Sequence, residues 1–183
     1  IGHSTILLQF EGLNILTDPH LTRRASPVSF AGPERYMKPG ISIEDLPHID
    51  LIVISHNHYD HLDRLTLEKI HQKQKDQPPR IFVPLNQKEW FEDLEIPNVV
   101  EMDWWEEQQY LGWKIHAVPV QHWSGRSLLD RNQVLWAGWV LEHPKFRFFF
   151  AGDTGYSKDF IDLGNQFEGF DLAAIPIGAY SPR

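Results

Sequence analysis

The 183-residue chain contains no cysteine, which excludes disulfides, thiolate metal sites and a cysteine nucleophile together. The same absence leaves the redox compartment open, because the diagnostic residue is missing. No apolar run approaches the ~20 residues that a membrane-spanning helix needs. Charge of neither sign is concentrated. Its 17 Lys and Arg stand against 25 Asp and Glu, for a formal net charge of -8, and this argues against a nucleic-acid partner. Internal repeats, low-complexity tracts and a serine nucleophile elbow are also missing.

With 42% hydrophobic residues, the chain is long enough for one substantial core and short for two, so residues 1–183 are expected to form a single domain. It opens at "IGHSTILLQF" without Met, already in a strand pattern, and stops at "IPIGAYSPR". Both ends are therefore expected to be cut from something longer, with the C-terminal part of the domain missing and an upstream signal segment left open.

Ser4 to Phe10 and Leu13 to Thr17 read as a hairpin. "TRRASPVSFAGPERYMKPG" is a long loop rich in Pro and Gly, and long loops are more often functional than idle. Leu51 to Ser55 and "RIFVP" read as buried strands, with a helix from Asp63 to Gln74 between them. "NQKEWFEDL" has Asn86 followed three residues later by Glu89, the spacing of a capping box. "NVVEMDW", "WKIHAVPVQHW", "VLWAGWVLE", "KFRFFFAGD" and "DLAAIPIGAY" are strand-like, and "YSKDFIDLGNQF" is helical. The mixture points to an α/β sandwich rather than a regular doubly wound sheet.

The chemistry concentrates in "LIVISHNHYDHLD". A buried β-branched strand ends in His56, His58, Asp60 and His61, and imidazole with carboxylate is the ligand set of zinc and its first-row neighbours. His122 at the end of "AVPVQHW" and Asp153 at the end of "RFFFAGDTG" repeat the pattern of a polar ligand at a strand tip. Asp18 in "LTDP" either orients a ligand imidazole or forms a turn before Pro19. His3 is a weaker candidate for the neighbourhood of the site, and Asp63 is read as a helix cap. The aromatics of "MDWWEEQQYLGW" suit packing, with an interfacial belt for lipid as the less favoured reading. His20, His48, His71, His116 and His143 are read as structural.

His56-x-His58-x-Asp60-His61 with His122 and Asp153 resembles the metallo-β-lactamase fold superfamily, which implies an αββα sandwich. A narrower resemblance covers nearly the whole chain. "IGHST", "LTDP", "RASP", "GPER", "LPHIDLIVISHNHYDHLD", "QHWSGRSLLDRNQVLWAGW", "FFFAGDTGY" and "FDLAAIPIGAY" are similar to the N-acyl-phosphatidylethanolamine-hydrolysing phospholipase D family and its bacterial relatives. That resemblance implies one metal on His56, His58 and His122, a second on Asp60 and His61, and Asp153 bridging them. It also implies a seventh ligand, a His beyond Arg183, so the chain is expected to hold at most one metal tightly.

In the complete site the metals are expected to be two Zn2+, with Mn2+ or Fe2+ as alternatives. Two divalent ions, two carboxylates and a hydroxide sum to about +1, a locally positive spot in an acidic chain. The expected function is metal-dependent hydrolysis, with Asp60, His61 and Asp153 catalytic. A phosphodiesterase of phospholipase D type, acting on a lipid-like phosphodiester through a metal-activated hydroxide, is favoured. The alternative is a lactonase or other carboxyl-centre hydrolase on the same site. A non-catalytic metal-binding domain fits an intact ligand set less well. A flavodiiron-type reductase would call for a carboxylate where His58 stands, and an RNA-processing nuclease for more basic charge. Partners are expected to be a small-molecule or phospholipid substrate, with peripheral membrane contact and a cytoplasmic or membrane-peripheral location.

Overall fold

Strict alternation along short apolar strands divides the core into layers. In strand β3 (Leu51–Val53) successive side chains face opposite sides. Leu51 and Val53 join one buried cluster with Ile15, Phe82, Trp113, Trp139 and Phe148. Ile52 and Ile54 join another with Leu67, Ile70 and Phe91. The structure, a computed structural model, describes residues 1–178. Among them β1 (Leu7–Phe10), β2 (Leu13–Thr17), β3, β4 (Arg80–Pro84) and β5 (Val99–Met102) form one sheet in that order. Only the β1–β2 pair is antiparallel.

The second sheet has the order β10 (Leu172–Ala174), β9 (Phe146–Phe150), β8 (Gly138–His143), β7 (Trp113–Val118), β6 (Glu107–Tyr110). It is antiparallel apart from β9–β10. Helix α1 (Arg64–Lys73) buries Leu67 and Ile70, and the shorter α2 (Lys88–Glu92) buries Phe91, on the outer face of the first sheet. Helix α3 (Asp159–Phe167) sets Leu163 and Phe167 against Val140 and Phe149 of the second. The layers are thus helix, sheet, sheet, helix, as the α/β sandwich expectation requires.

Strand β6 was not foreseen. "EQQY" is polar and largely exposed, so it carries no periodic signal, and pairing with β7 makes it a strand. The connecting Leu111 and Gly112 both have positive φ, 49° and 83°. That is the geometry of a two-residue turn matched to strand twist. The turn between β1 and β2 uses Glu11 and Gly12 the same way, at 48° and 83°.

Two capping readings need correction. Helix α2 starts after Gln87, without a side-chain cap bond. Asn86, at φ 65°, sends its amide Nδ2 to the Gln133 carbonyl instead. Asp63 occupies the position before α1 but accepts from the Thr66 hydroxyl (2.5 Å) and the Thr22 amide (3.2 Å), tying the long loop to the helix. The aromatic stretch packs. Trp104 Nε1 donates to the Trp136 carbonyl, Trp113 is buried, and Trp105 is half-exposed. The end of "DLAAIPIGAY", Ala179 and Tyr180, lies outside the described residues.

A side-chain hydrogen bond joins the two sheets at the β3 tip. The fully buried Trp139 donates its indole N–H to the Ile54 carbonyl at 2.9 Å. Trp139→Phe keeps most of the apolar surface and orphans that carbonyl, a loss of about 1–3 kcal/mol. Trp139→Ala adds a cavity, for about 3–5 kcal/mol. Urea unfolding of both variants measures the difference.

Candidate metal centre

Strands β3, β7 and β9 end on the same side of the sandwich, and each delivers ligand-type side chains at its tip. His56 Nε2 lies 2.8 Å from His58 Nδ1, and His122 Nε2 lies 3.3 Å from that same atom. Three imidazole nitrogens thus converge within 4.8 Å of one another. Beside them, His61 Nε2 lies 3.7 Å from Asp60 Oδ2 and 3.4 Å from Asp153 Oδ2. Asp153 Oδ2 is also 3.8 Å from His122 Nε2, so one carboxylate oxygen reaches both groups. All six residues singled out from the sequence meet here.

The hydrogen bonds behind the imidazoles decide which nitrogens face the centre. Asp18, wholly buried, accepts from the Ser55 amide, the Ser55 hydroxyl and His61 Nδ1, each at 2.6 Å. A carboxylate can only accept, so the His61 proton sits on Nδ1 and Nε2 is left facing Asp60 and Asp153. The Ser55 hydroxyl, spent on Asp18, must accept from His56 Nδ1 at 2.8 Å, and His56 Nε2 is freed in the same way. The buried His61 Nε2, which faces Asp60 and Asp153, has no hydrogen-bond partner among the described residues, whereas on His58 the unpartnered nitrogen is Nε2 and the one that meets His56 and His122 is Nδ1. These donors fit a divalent metal. Although Asp18 also lies close to His56 and His61, its bonds are already committed, which makes it an orienting group.

Close backbone approach makes the arrangement feasible. Gly152 has φ 60°, and a Cβ built on it would lie 2.5 Å from the Ser55 Cβ. Only glycine lets the Asp153 turn sit against the β3 tip. His3, read from the sequence as a weak candidate, places Nε2 2.9 Å from Asp60 Oδ2 and its ring edge against His61. Ser55, Arg35 and Arg126 carried no sequence signal of a role. His20, read as structural, packs its Nδ1 3.1 Å from Arg35 Nη2. Both residues line a cavity of about 850 Å³ beside the centre, together with Pro33, Tyr36, Met37 and Trp123. His58 and Asp60 border it too.

Burial, followed by the neighbouring His122, pushes His58 down to about 4. Burial also drives His56 well down, reinforced by His61. For His61 burial disfavours the charge, but Asp18, Asp153 and Asp60 outweigh it and hold the ring up at about 10. Burial opposes ionisation of Asp60 as well. The His3 hydrogen bond and the His61 charge prevail, and its carboxyl stays below the usual carboxylate range. The pocket is therefore built around a cation, which a proton on His61 supplies when no metal does.

Because the His61 pKa lies above its unfolded value of about 6.5, the stabilisation is complete below that pH. It is lost as pH rises towards about 10. The metal-free chain should lose stability steadily across this window, and Asp18→Asn should flatten the slope. Denaturant unfolding of chelated protein at a series of pH values checks both, and a flat wild-type profile contradicts the assignment.

A model described as the beta-lactamase superfamily domain matches residues 13–183. An N-acyl-phosphatidylethanolamine-hydrolyzing phospholipase D from Caenorhabditis elegans is 42% identical over 195 residues, covering 100% of this chain and 54% of that protein. A Saccharomyces cerevisiae protein of the same name, designated mitochondrial, is 40% identical over 190 residues, covering 100% of this chain and 40% of its own. The chain thus spans about half the length of the curated relatives it matches. Among solved structures, an isothiocyanate hydrolase from Delia radicum gut bacteria superposes with a TM-score of 0.68 at 21% identity, over 92% of this chain and 67% of its own. That likeness concerns the fold, and it agrees with the sandwich. With nearly the whole chain inside the matched region and the ligand-type residues gathered at one edge of the sandwich, the chain belongs to the beta-lactamase superfamily.

Proposed function

We propose that the chain carries the metal centre of a hydrolase that cleaves a lipid-like phosphodiester. His56, His58 and His122 would hold one ion, Asp60 and His61 a second, and Asp153 would span them. Zinc suits these donors best, with manganese or iron as alternatives. Bound there, divalent ions supply Lewis acidity and a water acidic enough to attack at neutral pH. The protein's share is placement: Asp18 and Ser55 aim His61 and His56, and His3 holds Asp60.

The observation that carries the substrate class is the cavity at the edge of the centre. Its lining is chiefly apolar, from Ile1, Pro33, Tyr36, Met37 and Trp123, with the cations Arg35 and Lys38 also present. An apolar body with an anionic head satisfies both kinds of group. Tyr36 and Met37 are exposed as well, which supports contact with a lipid surface better than the packed "MDWW" aromatics do. The two similar proteins named as phospholipases D point the same way. A carboxyl-centre hydrolase would use the same ligands, but it has no need of the cations.

His58→Ala and Asp153→Ala should each lower activity by several orders of magnitude without unfolding the chain, as circular dichroism would verify. Exhaustive chelation should abolish turnover, and persistence of activity would refute the metal mechanism. Bis-aryl phosphodiesters and phospholipids should be hydrolysed faster than lactones or β-lactams. A lactone cleaved far faster than either would move the assignment to the carboxyl-centre reading.

A further inference from the structure

Arg126 lies four residues beyond His122, in a loop that leaves the tip of β7. Its Nη1 donates to two carbonyls of the other ligand-bearing loop, Asn57 O at 2.8 Å and Leu62 O at 2.9 Å. Those carbonyls bracket His58, Asp60 and His61. The guanidinium also lies over the Tyr59 ring, 3.9 Å from its centroid, and 5.4 Å from that of Trp90. The Tyr59 hydroxyl donates back to the Arg126 carbonyl at 3.1 Å. A second tie joins the same loops, since the Gly125 amide donates to Asn57 Oδ1 at 2.7 Å. Asp130 stiffens the anchor by accepting from the Arg126 and Ser127 amides at 2.8–3.0 Å.

Arg126 makes no side-chain ion pair among the described residues, and ring faces and carbonyl oxygens surround its charge instead. A planar cation with several donors can bridge two carbonyls and stack on a ring at once. Surface solubility would not require such a group beneath a loop. The three converging imidazoles come from two separate segments, His56 and His58 from one and His122 from the other. Their spacing depends on whatever fixes those segments to each other.

We propose that Arg126 is a positioning residue for the first metal position, locking the His122 loop onto the His56–His61 loop so that the three imidazole nitrogens converge. The proposal rests on the metal reading given above. Groups that orient ligands from behind typically contribute ~10 to 100-fold to metal affinity. A purely structural arginine would instead stabilise the fold and leave the affinity of folded molecules untouched.

The test measures zinc affinity by competition with a chromophoric chelator, well below the unfolding temperature, together with the visible spectrum of the Co2+-loaded protein. Arg126→Met should weaken the tighter site by ~10 to 100-fold and alter the cobalt spectrum. Arg126→Lys, which keeps the charge but not the fork, should recover only part of the affinity. Tyr59→Phe, which deletes only the return hydrogen bond, should shift it less in the same direction. Wild-type affinity and an unchanged spectrum in Arg126→Met overturn the proposal, even if the melting temperature falls. Should Arg126→Met fail to fold, Arg126→Lys and Tyr59→Phe decide, and wild-type affinity in both overturns it. If the unsubstituted chain binds no zinc or cobalt, the metal reading itself fails and this inference falls with it.

Discussion

The candidate centre depends on one buried carboxylate. Asp18 has no exposed surface, and it accepts three hydrogen bonds from Ser55 and His61. Placing a charge there is costly unless it is fully bonded, and the neighbours achieve this without supplying a fixed cation. The unmet part of the electrostatics is passed through His61 to the open side of the pocket. A group that looks like a structural liability is what leaves two imidazole nitrogens facing the same small volume.

The sandwich makes that arrangement possible by ending three strands at the same edge. Within the first sheet β3 is central, flanked by β2 and β4, so its tip is held from both sides. The tip of the second sheet meets it through the Ala137 amide on the Ser55 carbonyl at 2.8 Å and the Trp139 indole on Ile54. Rigid roots matter because an imidazole displaced by about an ångström loses much of its value to a reacting centre. The loops carry the ligands, while the packing of Trp139, Phe148 and Phe150 against Leu51 and Val53 determines where the loops begin.

The parts of this legible in sequence are those where one residue type has one dominant physical meaning. An apolar β-branched run followed by His56, His58, Asp60 and His61 has few other interpretations, and the layered fold followed from runs of the same kind. Ser55, Arg35 and Arg126 were opaque, because a serine in a strand or an arginine in a loop is compatible with almost any surroundings. Their roles arise from pairings across 37, 15 and 69 positions of sequence, which spacing cannot reveal. The polar strand β6 was invisible for a related reason, since pairing and not propensity creates it. At Asn86 the local rule was outcompeted: its amide found the Gln133 carbonyl, and the helix began without it.

The two proposed metal positions are joined on both sides. In front, Asp153 Oδ2 approaches His61 Nε2 and His122 Nε2 at 3.4 and 3.8 Å. Behind, Ser55 passes the charge of Asp18 to His56 while Asp18 holds His61 directly. An ion at either position would change the charge felt at the other through a buried path that salt screens poorly. A first ion near His56 would compete with the proton on His61, because both lie in the field of the same three carboxylates. The network therefore ties the two groups of ligand-type side chains to each other by charge as well as by geometry.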